Sequence, residues 1–182
     1  MAVGRRIRET REARALSLRS LAEASGVSRS MLSDIERGAK SPTIALLAAI
    51  SEGLEVPLSA LIDDGVSRSS ISAQVIRADD RHTISDPSGV ERTTLGILHD
   101  ESAVEFVRFT LPARTVSGTF AAHKPGTLER IYIERGTLDV SFGDRRVTLH
   151  AGDSLSYEAA VPHSFANAGR NAAVLYLVIE RR

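Results

Sequence analysis

Cysteine is absent from the 182 residues, so the chain has no thiol nucleophile, no disulfide framework and no thiolate metal site. Any metal must be held by His, Asp or Glu. The other chemistry on offer is electrostatic. Residues 1–41 carry nine basic side chains (Arg5, Arg6, Arg8, Arg11, Arg14, Arg19, Arg29, Arg37 and Lys40) against five acids, a surplus of four. Residues 42–65 hold four acids, Glu52, Glu55, Asp63 and Asp64, with no base, and the remainder balances, so a net charge of zero conceals one basic segment. A short basic segment in a neutral chain points to a local polyanion contact, although charge alone also describes a solvated helix face.

The elements that must position these residues fall into two halves. Up to about Asp63 the apolar residues recur at helical spacing, which predicts five short helices. The first spans Val3 to Arg14, and Ser17 caps a second whose apolar stripe is Leu18, Leu21 and Ala22. Gly26 supplies a left-handed turn, and Ser28 caps a third helix to about Glu36 with Leu32 and Ile35 inward. The fourth runs from Thr43 to Leu54, and Pro57 opens a short fifth through Leu58 and Leu61. Residues 64–73, with Asp-Gly followed by Ser-Arg-Ser-Ser, read as a linker.

From Gln74 the period changes to two. Val75 and Ile76, Thr93–Leu98, Val104–Leu111, Leu128–Glu134, Thr137–Phe142, Val147–His150, Ser154–Tyr157 and Ala173–Ile179 are strand-like, which predicts a sandwich or barrel. The 42% hydrophobic content suffices for a buried core. Ile44–Ile50 and Val174–Ile179, the longest apolar runs, are far shorter than the roughly 20 residues that span a bilayer. With a charged N-terminus and no cysteine, the expectation is a soluble, cytoplasmic protein with no membrane partner.

Leu18 to Ile35, LRSLAEASGVSRSMLSDI, contains an amphipathic helix, a glycine turn and a second amphipathic helix with a polar first turn. That is what a helix-turn-helix requires: the first helix braces, and the second presents its N-terminal residues to base edges. Arg11, Leu18, Leu21, Ala22, Gly26, Val27, Ser28, the run Leu32-Ser33-Asp34-Ile35-Glu36-Arg37-Gly38, Pro42 and Leu54-Glu55-Val56-Pro57 together resemble the XRE family of phage-repressor-type domains across residues 3–62. The resemblance places base contacts at Arg29, Ser30 and Asp34, with Ser33 assisting. It also pairs Glu36 with Arg11 in a structural ion pair. Arg29 could take guanine in a bidentate contact, whereas Asp34 could accept from cytosine or exclude wrong sites. Ser28 and the amides of its helix start are natural phosphate ligands, and Arg19, Arg37, Lys40 and Ser41 are the remaining phosphate candidates.

In the second half, Gly118 to Gly136 followed by Gly152 to Asn167 resembles the two motifs of the cupin family: His123, Glu129 and Gly136 in the first, Gly152-Asp153, Pro162-His163 and Asn167 in the second. A metal-binding cupin presents two histidines one residue apart, this glutamate and the histidine of the second motif. Here Pro125 stands two beyond His123, so three of four ligands remain, His123, Glu129 and His163, and His123 could fill either histidine position. The set would suit zinc, nickel, manganese or iron, or it would simply line a small-molecule pocket. Alternation from Glu129 sends Ile131 to the same side, and Arg108, Tyr157 and Tyr176 are further candidates for the wall. Arg108, placed on one face with Val104 and Phe106, could bind an anion there or lie on the surface. His82, His99 and His150 read as ordinary surface or loop residues.

The two resemblances imply two domains: an all-α, five-helix repressor-like domain over 1–63 and an all-β cupin, a jelly-roll barrel, over 74–182. They imply a sequence-specific transcriptional regulator rather than an enzyme. It would be a homodimer on a pseudo-palindromic double-stranded operator, its cupin sensing a small effector of organic-acid or amino-acid class. The alternatives are a cupin metalloenzyme, an isomerase or dioxygenase with an accessory DNA-binding arm, and a cupin that serves only to dimerise the reader.

Overall fold

A computed structural model of the chain describes residues 2–62, 75–98 and 104–181. Two serines and a threonine set the helical part. Ser17, Ser28 and Thr43 have extended backbone, and their hydroxyls accept from the amides of Ser20, Met31 and Leu46 at 3.0, 3.3 and 3.1 Å. Each satisfies an amide that the first helical turn leaves orphaned. The helices are α1 (Ala2–Ala13), α2 (Leu18–Ser25), α3 (Arg29–Glu36) and α4 (Ile44–Gly53). Gly26, with φ of 69°, makes the left-handed turn between α2 and α3. Ile7, Leu21, Leu32, Ile35, Ile50 and Leu54 form the buried centre, each contributing on the order of 1.5–3 kcal/mol of transfer free energy. Gly4 lets α1 lie against α3: a Cβ there would stand 2.1 Å from the Ile35 carbonyl oxygen.

The expected fifth helix is instead a single 3-10 turn, Leu58–Leu61. Four residues after Pro57 are too few to offset helix nucleation, so packing of Leu58 and Leu61 holds the turn. The linker expected at 64–73 lies outside the described residues, as does His99.

Among the described residues the β part contains ten strands: β1 (Thr83–Ser85), β2 (Glu91–Leu98), β3 (Val104–Leu111), β4 (Thr115–Phe120), β5 (Leu128–Arg135), β6 (Thr137–Phe142), β7 (Arg145–His150), β8 (Ser154–Glu158), β9 (His163–Asn167) and β10 (Ala173–Glu180). They build two antiparallel sheets, in the orders β1-β2-β3-β10-β5-β8 and β4-β9-β6-β7, whose inner faces enclose the core. Phe109, Phe120 and Phe165 pack edge-on or tilted between them, with centroids 5.4 to 6.3 Å apart. The strand expected at Val75–Ile76 is not formed. Residues 75–77 are irregular, with Val75 72% exposed and Ile76 half-buried.

The two parts touch through α4. It lies along β4, where Ala45 would meet a Cβ on Gly118 at 3.5 Å, and its C-terminal turn reaches the mouth of the barrel.

Candidate nucleic-acid interface and candidate ligand cup

On the helical part, Arg29, Ser30, Ser33, Asp34 and Arg37 line one open groove beside Leu18. Helical spacing puts them there, because positions 29, 30, 33, 34 and 37 follow one face of α3 and its C-cap while Leu32 and Ile35 occupy the other. Arg29 and Ser30 are exposed, and the Ser28 hydroxyl lies 3.2 Å from that of Ser30. Asp34 is engaged within the protein, since Arg37 donates to it at 2.8 Å and the Lys40 ammonium lies 3.3 Å away. Lys40 and Arg37 hold its carboxyl below the usual range. Asp34 thus holds two cations beside the groove. Arg19 is exposed and pairs with Glu23 at 2.9 Å, and Ser41 is exposed. Behind the groove, Arg11 clasps Glu36 with two hydrogen bonds of 2.7 and 2.9 Å and donates to the Leu16 carbonyl at 2.9 Å. This mostly buried fork ties α1 to the end of α3 and to the turn before α2.

In the β part, β5 carries Glu129 inward beside Ile131 and Ile133, β9 opens with His163, and the loop after β4 brings in His123. One ligand atom from each of His123, Glu129 and His163 lies within 4.8 Å of the others. His123 Nε2 is 3.3 Å and His163 Nε2 3.5 Å from the same Glu129 oxygen, and the Tyr157 hydroxyl donates to the other. Burial works against the charged form of His123, but hydrogen bonds to Glu129 and Glu52 prevail and raise it to about 9. Burial also opposes the Glu129 carboxylate, yet the two imidazoles pull it down to about 2. Burial and the adjacent Glu129 push the Tyr157 phenol up.

The donor set fits a divalent cation. His163 Nδ1 lies 3.0 Å from the Val161 carbonyl and His123 Nδ1 lies 2.7 Å from Glu52, so each ring has an acceptor for its Nδ1 proton and turns Nε2 toward Glu129. Orientation of ligand imidazoles by a carbonyl and a carboxylate is what metal sites require of their surroundings.

Two expected wall residues are elsewhere. Arg108 and Tyr176 project from the outer face: Arg108 donates to Thr110 at 3.2 Å, and Tyr176 stacks on Phe106 at 5.8 Å. On β3 the inward phase is Glu105, Val107, Phe109 and Leu111, the opposite of the phase assumed for Val104, Phe106 and Arg108. A one-residue change of phase inverts every side chain, and three apolar residues outvote two. Ile131 is buried in the barrel and Tyr157 backs Glu129, but neither borders the cavity at the trio.

That cavity measures about 30 Å³. Phe109, Phe120, Phe165, Leu177 and Ile179 supply its apolar wall, and two of its charged lining residues, Arg92 and Arg181, escape the sequence patterns. Arg92 of β2 and Arg181, just past β10, both reach Glu105, at 2.5 and 2.7 Å. Arg92 and Glu105 are 1% and 0% exposed, a buried ion pair with no motif to announce it. Glu52, from the helical part, is outside that lining but lies 2.7 Å from His123 Nδ1. Ala48, Ser51 and Leu58 of the helical part line the cavity, so that part forms one of its walls.

Residues 7–61 match the family model described as Helix-turn-helix and residues 107–180 the one described as Cupin domain. The chain is 28% identical over 176 residues to the HTH-type transcriptional regulator SutR of Escherichia coli K12, covering 95% of this chain and 91% of that protein. It is 27% identical over 177 residues to the HTH-type transcriptional regulator PuuR of the same organism, covering 92% and 88%. The crystal structure of an HTH_3 family transcriptional regulator from Vibrio cholerae superposes with a TM-score of 0.81 at 26% identity, covering 100% of this chain and 96% of that one. The protein thus joins an XRE-type helix-turn-helix domain to a cupin domain, and its similarity to HTH-type transcriptional regulators along nearly its whole length marks it as a DNA-binding transcriptional regulator. Among the described residues no helix is long and apolar enough to cross a membrane.

Proposed function

We propose that the chain is a one-component regulator, in which a homodimer reads a pseudo-palindromic operator through two copies of α3 and the cupin cup binds a small effector. The observation that carries this reading is the continuity between the two sites, since residues of the helix-turn-helix domain form one wall of the cup. An effector alters DNA affinity only if it binds one arrangement of the protein better than another, and a shared wall supplies such a difference. Arg29, Ser30 and Asp34, with Ser33 assisting, would meet base edges, whereas Ser28, Arg19, Arg37, Lys40 and Ser41 would meet phosphates. His123, Glu129 and His163 would hold a divalent cation if one is taken up, supplying a Lewis-acidic centre for an effector oxygen or nitrogen.

The test is operator selection from random duplexes followed by binding of two variants. Half-sites about 34 Å apart are expected for a two-fold reader. Arg29→Ala should weaken operator binding by about 1–3 kcal/mol with little effect on random DNA, whereas Lys40→Ala should weaken both and lower the salt slope by about 1. Equal losses on both DNAs from Arg29→Ala would demote that side chain to a phosphate contact.

A further inference from the structure

Leu18 opens α2, yet it lines the same groove as Arg29, Ser30, Ser33, Asp34 and Arg37 of the α3 face. Among the described residues lining that groove it alone is apolar. It stands one turn ahead of Leu21, which is fully buried, so the stripe of Leu18, Leu21 and Ala22 leaves the core at Leu18 and ends half-buried in the groove. The polar side chains around it are turned to one another: the Ser17 and Ser20 hydroxyls bond at 2.8 Å, and Arg19 donates to Glu23 at 2.9 Å.

The place of this side chain relative to α3 is fixed from both ends of α2. Arg11 donates to the carbonyl of Leu16, two residues upstream of Leu18, and with the same guanidinium clasps Glu36, the last residue of α3. Ser25, the last residue of α2, donates to the Leu21 carbonyl at 2.6 Å and accepts from the Val27 amide at 3.3 Å, closing the turn that leads into α3. The isobutyl group is thus held at one depth beside the polar side chains of the groove, the rigidity that readout of a base edge needs.

Base edges in the major groove offer acceptors, donors and one apolar group, the 5-methyl of thymine. Arg29 suits the acceptors and Asp34 a donor, but Leu18 has no hydrogen bond to exchange. Set against guanine, adenine or cytosine, it strips water from polar atoms and returns nothing; against thymine, it covers a methyl. We propose that Leu18 is a base-reading residue that selects one thymine in each operator half-site through its 5-methyl group. This rests on the reading that the α3 groove meets base edges, and it supplies the apolar part of that recognition. Burial of one methyl corresponds to a preference of roughly four-fold per half-site. Two well-separated half-sites then give roughly sixteen-fold.

The experiment uses the full chain and an operator selected from random duplexes. Each symmetric pair of thymines in that operator is replaced in turn by deoxyuridine, which removes the 5-methyl and keeps every hydrogen-bonding group of the base. Affinity is measured at one fixed salt concentration for wild type, Leu18→Ala, Leu18→Gln and Leu18→Met. In wild type, one thymine pair should bind roughly sixteen-fold tighter than its uracil counterpart. That ratio should fall below about two-fold in Leu18→Ala and Leu18→Gln and largely return in Leu18→Met, whose side chain is again apolar. The ratio is taken within one protein, so a variant that folds only in part still reports it, and Leu18→Gln, with a side chain of similar length, serves where Leu18→Ala does not fold. A selected half-site without a fixed thymine overturns the proposal. So does a uracil effect that is absent at every position, or one that persists undiminished in Leu18→Ala and Leu18→Gln. A loss in Leu18→Ala that is equal on thymine and uracil duplexes also overturns it and leaves the side chain as packing between α2 and α3. Arg29→Ala separates this failure from that of the underlying reading. An operator-specific loss there, with no uracil effect, removes Leu18 alone, whereas equal losses on operator and random DNA with no uracil effect remove base reading by the groove as well.

Discussion

The groove on α3 and the cup of the barrel are both built from clustered charges, but they hold them in opposite ways. In the groove, Asp34, Arg37 and Lys40 sit at the surface, where water screens each pair and its contribution to folding is small. Those charges remain available to a polyanion. In the cup, Arg92 and Glu105 are fully enclosed, and Arg181, Thr94 and the surrounding packing help to satisfy the pair. The lesson is that exposed charge is kept for a partner, whereas enclosed charge must find its partner within the chain, and here it reaches across domains to Glu52.

The largest effect expected of this contrast comes from Glu105→Ala, which leaves Arg92 buried without its carboxylate. Urea unfolding of the full chain should show a loss of about 3–5 kcal/mol. A loss under about 1 kcal/mol would mean that water reaches Arg92, and the contrast with the surface cluster would collapse.

A smaller, pH-dependent effect belongs to His123. Its pKa in the folded chain, about 9, lies above the ordinary value of 6.5, so its contribution is complete below pH 6.5 and is lost as pH rises through about 9. Stability measured in chelator between pH 6 and 10 should fall over that window in wild type and less so in His123→Asn. Parallel curves would show that the imidazole gains nothing from Glu52 and Glu129.

Least affected should be folding of Asp34→Ala, which unties Arg37 and Lys40 at the surface and should change stability by no more than about 0.5 kcal/mol. Its signature is expected on DNA instead, as lost discrimination between operator and random duplex at one fixed salt concentration. A destabilisation above about 1 kcal/mol would place Asp34 with the enclosed charges.

Much of the helical domain was legible because its determinants are local. Ser17, Ser28 and Thr43 cap within three residues, Gly26 turns in place, and Leu21, Leu32 and Ile35 fall on a 3.6-residue stripe. The short strands were harder to read. β4 carries Gly118 at φ of 79° where its register with β9 shifts, which breaks the two-residue period, and it is not among the strands expected from the sequence. β9, His163–Asn167, reads as motif rather than strand because it is five residues long and follows a proline.

The sequence by itself determined the two halves, the caps and turn of the reading helix, and the identity of His123, Glu129 and His163, because spacing along the chain carries those signals. Tertiary structure decided the phase of β3, which sends Glu105 inward and Arg108 outward, since both phases of that strand hold apolar residues and only the opposing sheet selects between them. It also decided the partners of the buried charges. Arg92 meets Glu105 across 13 residues and Glu52 meets His123 across 71, and no period in a sequence encodes a contact that exists only once two domains have closed on each other.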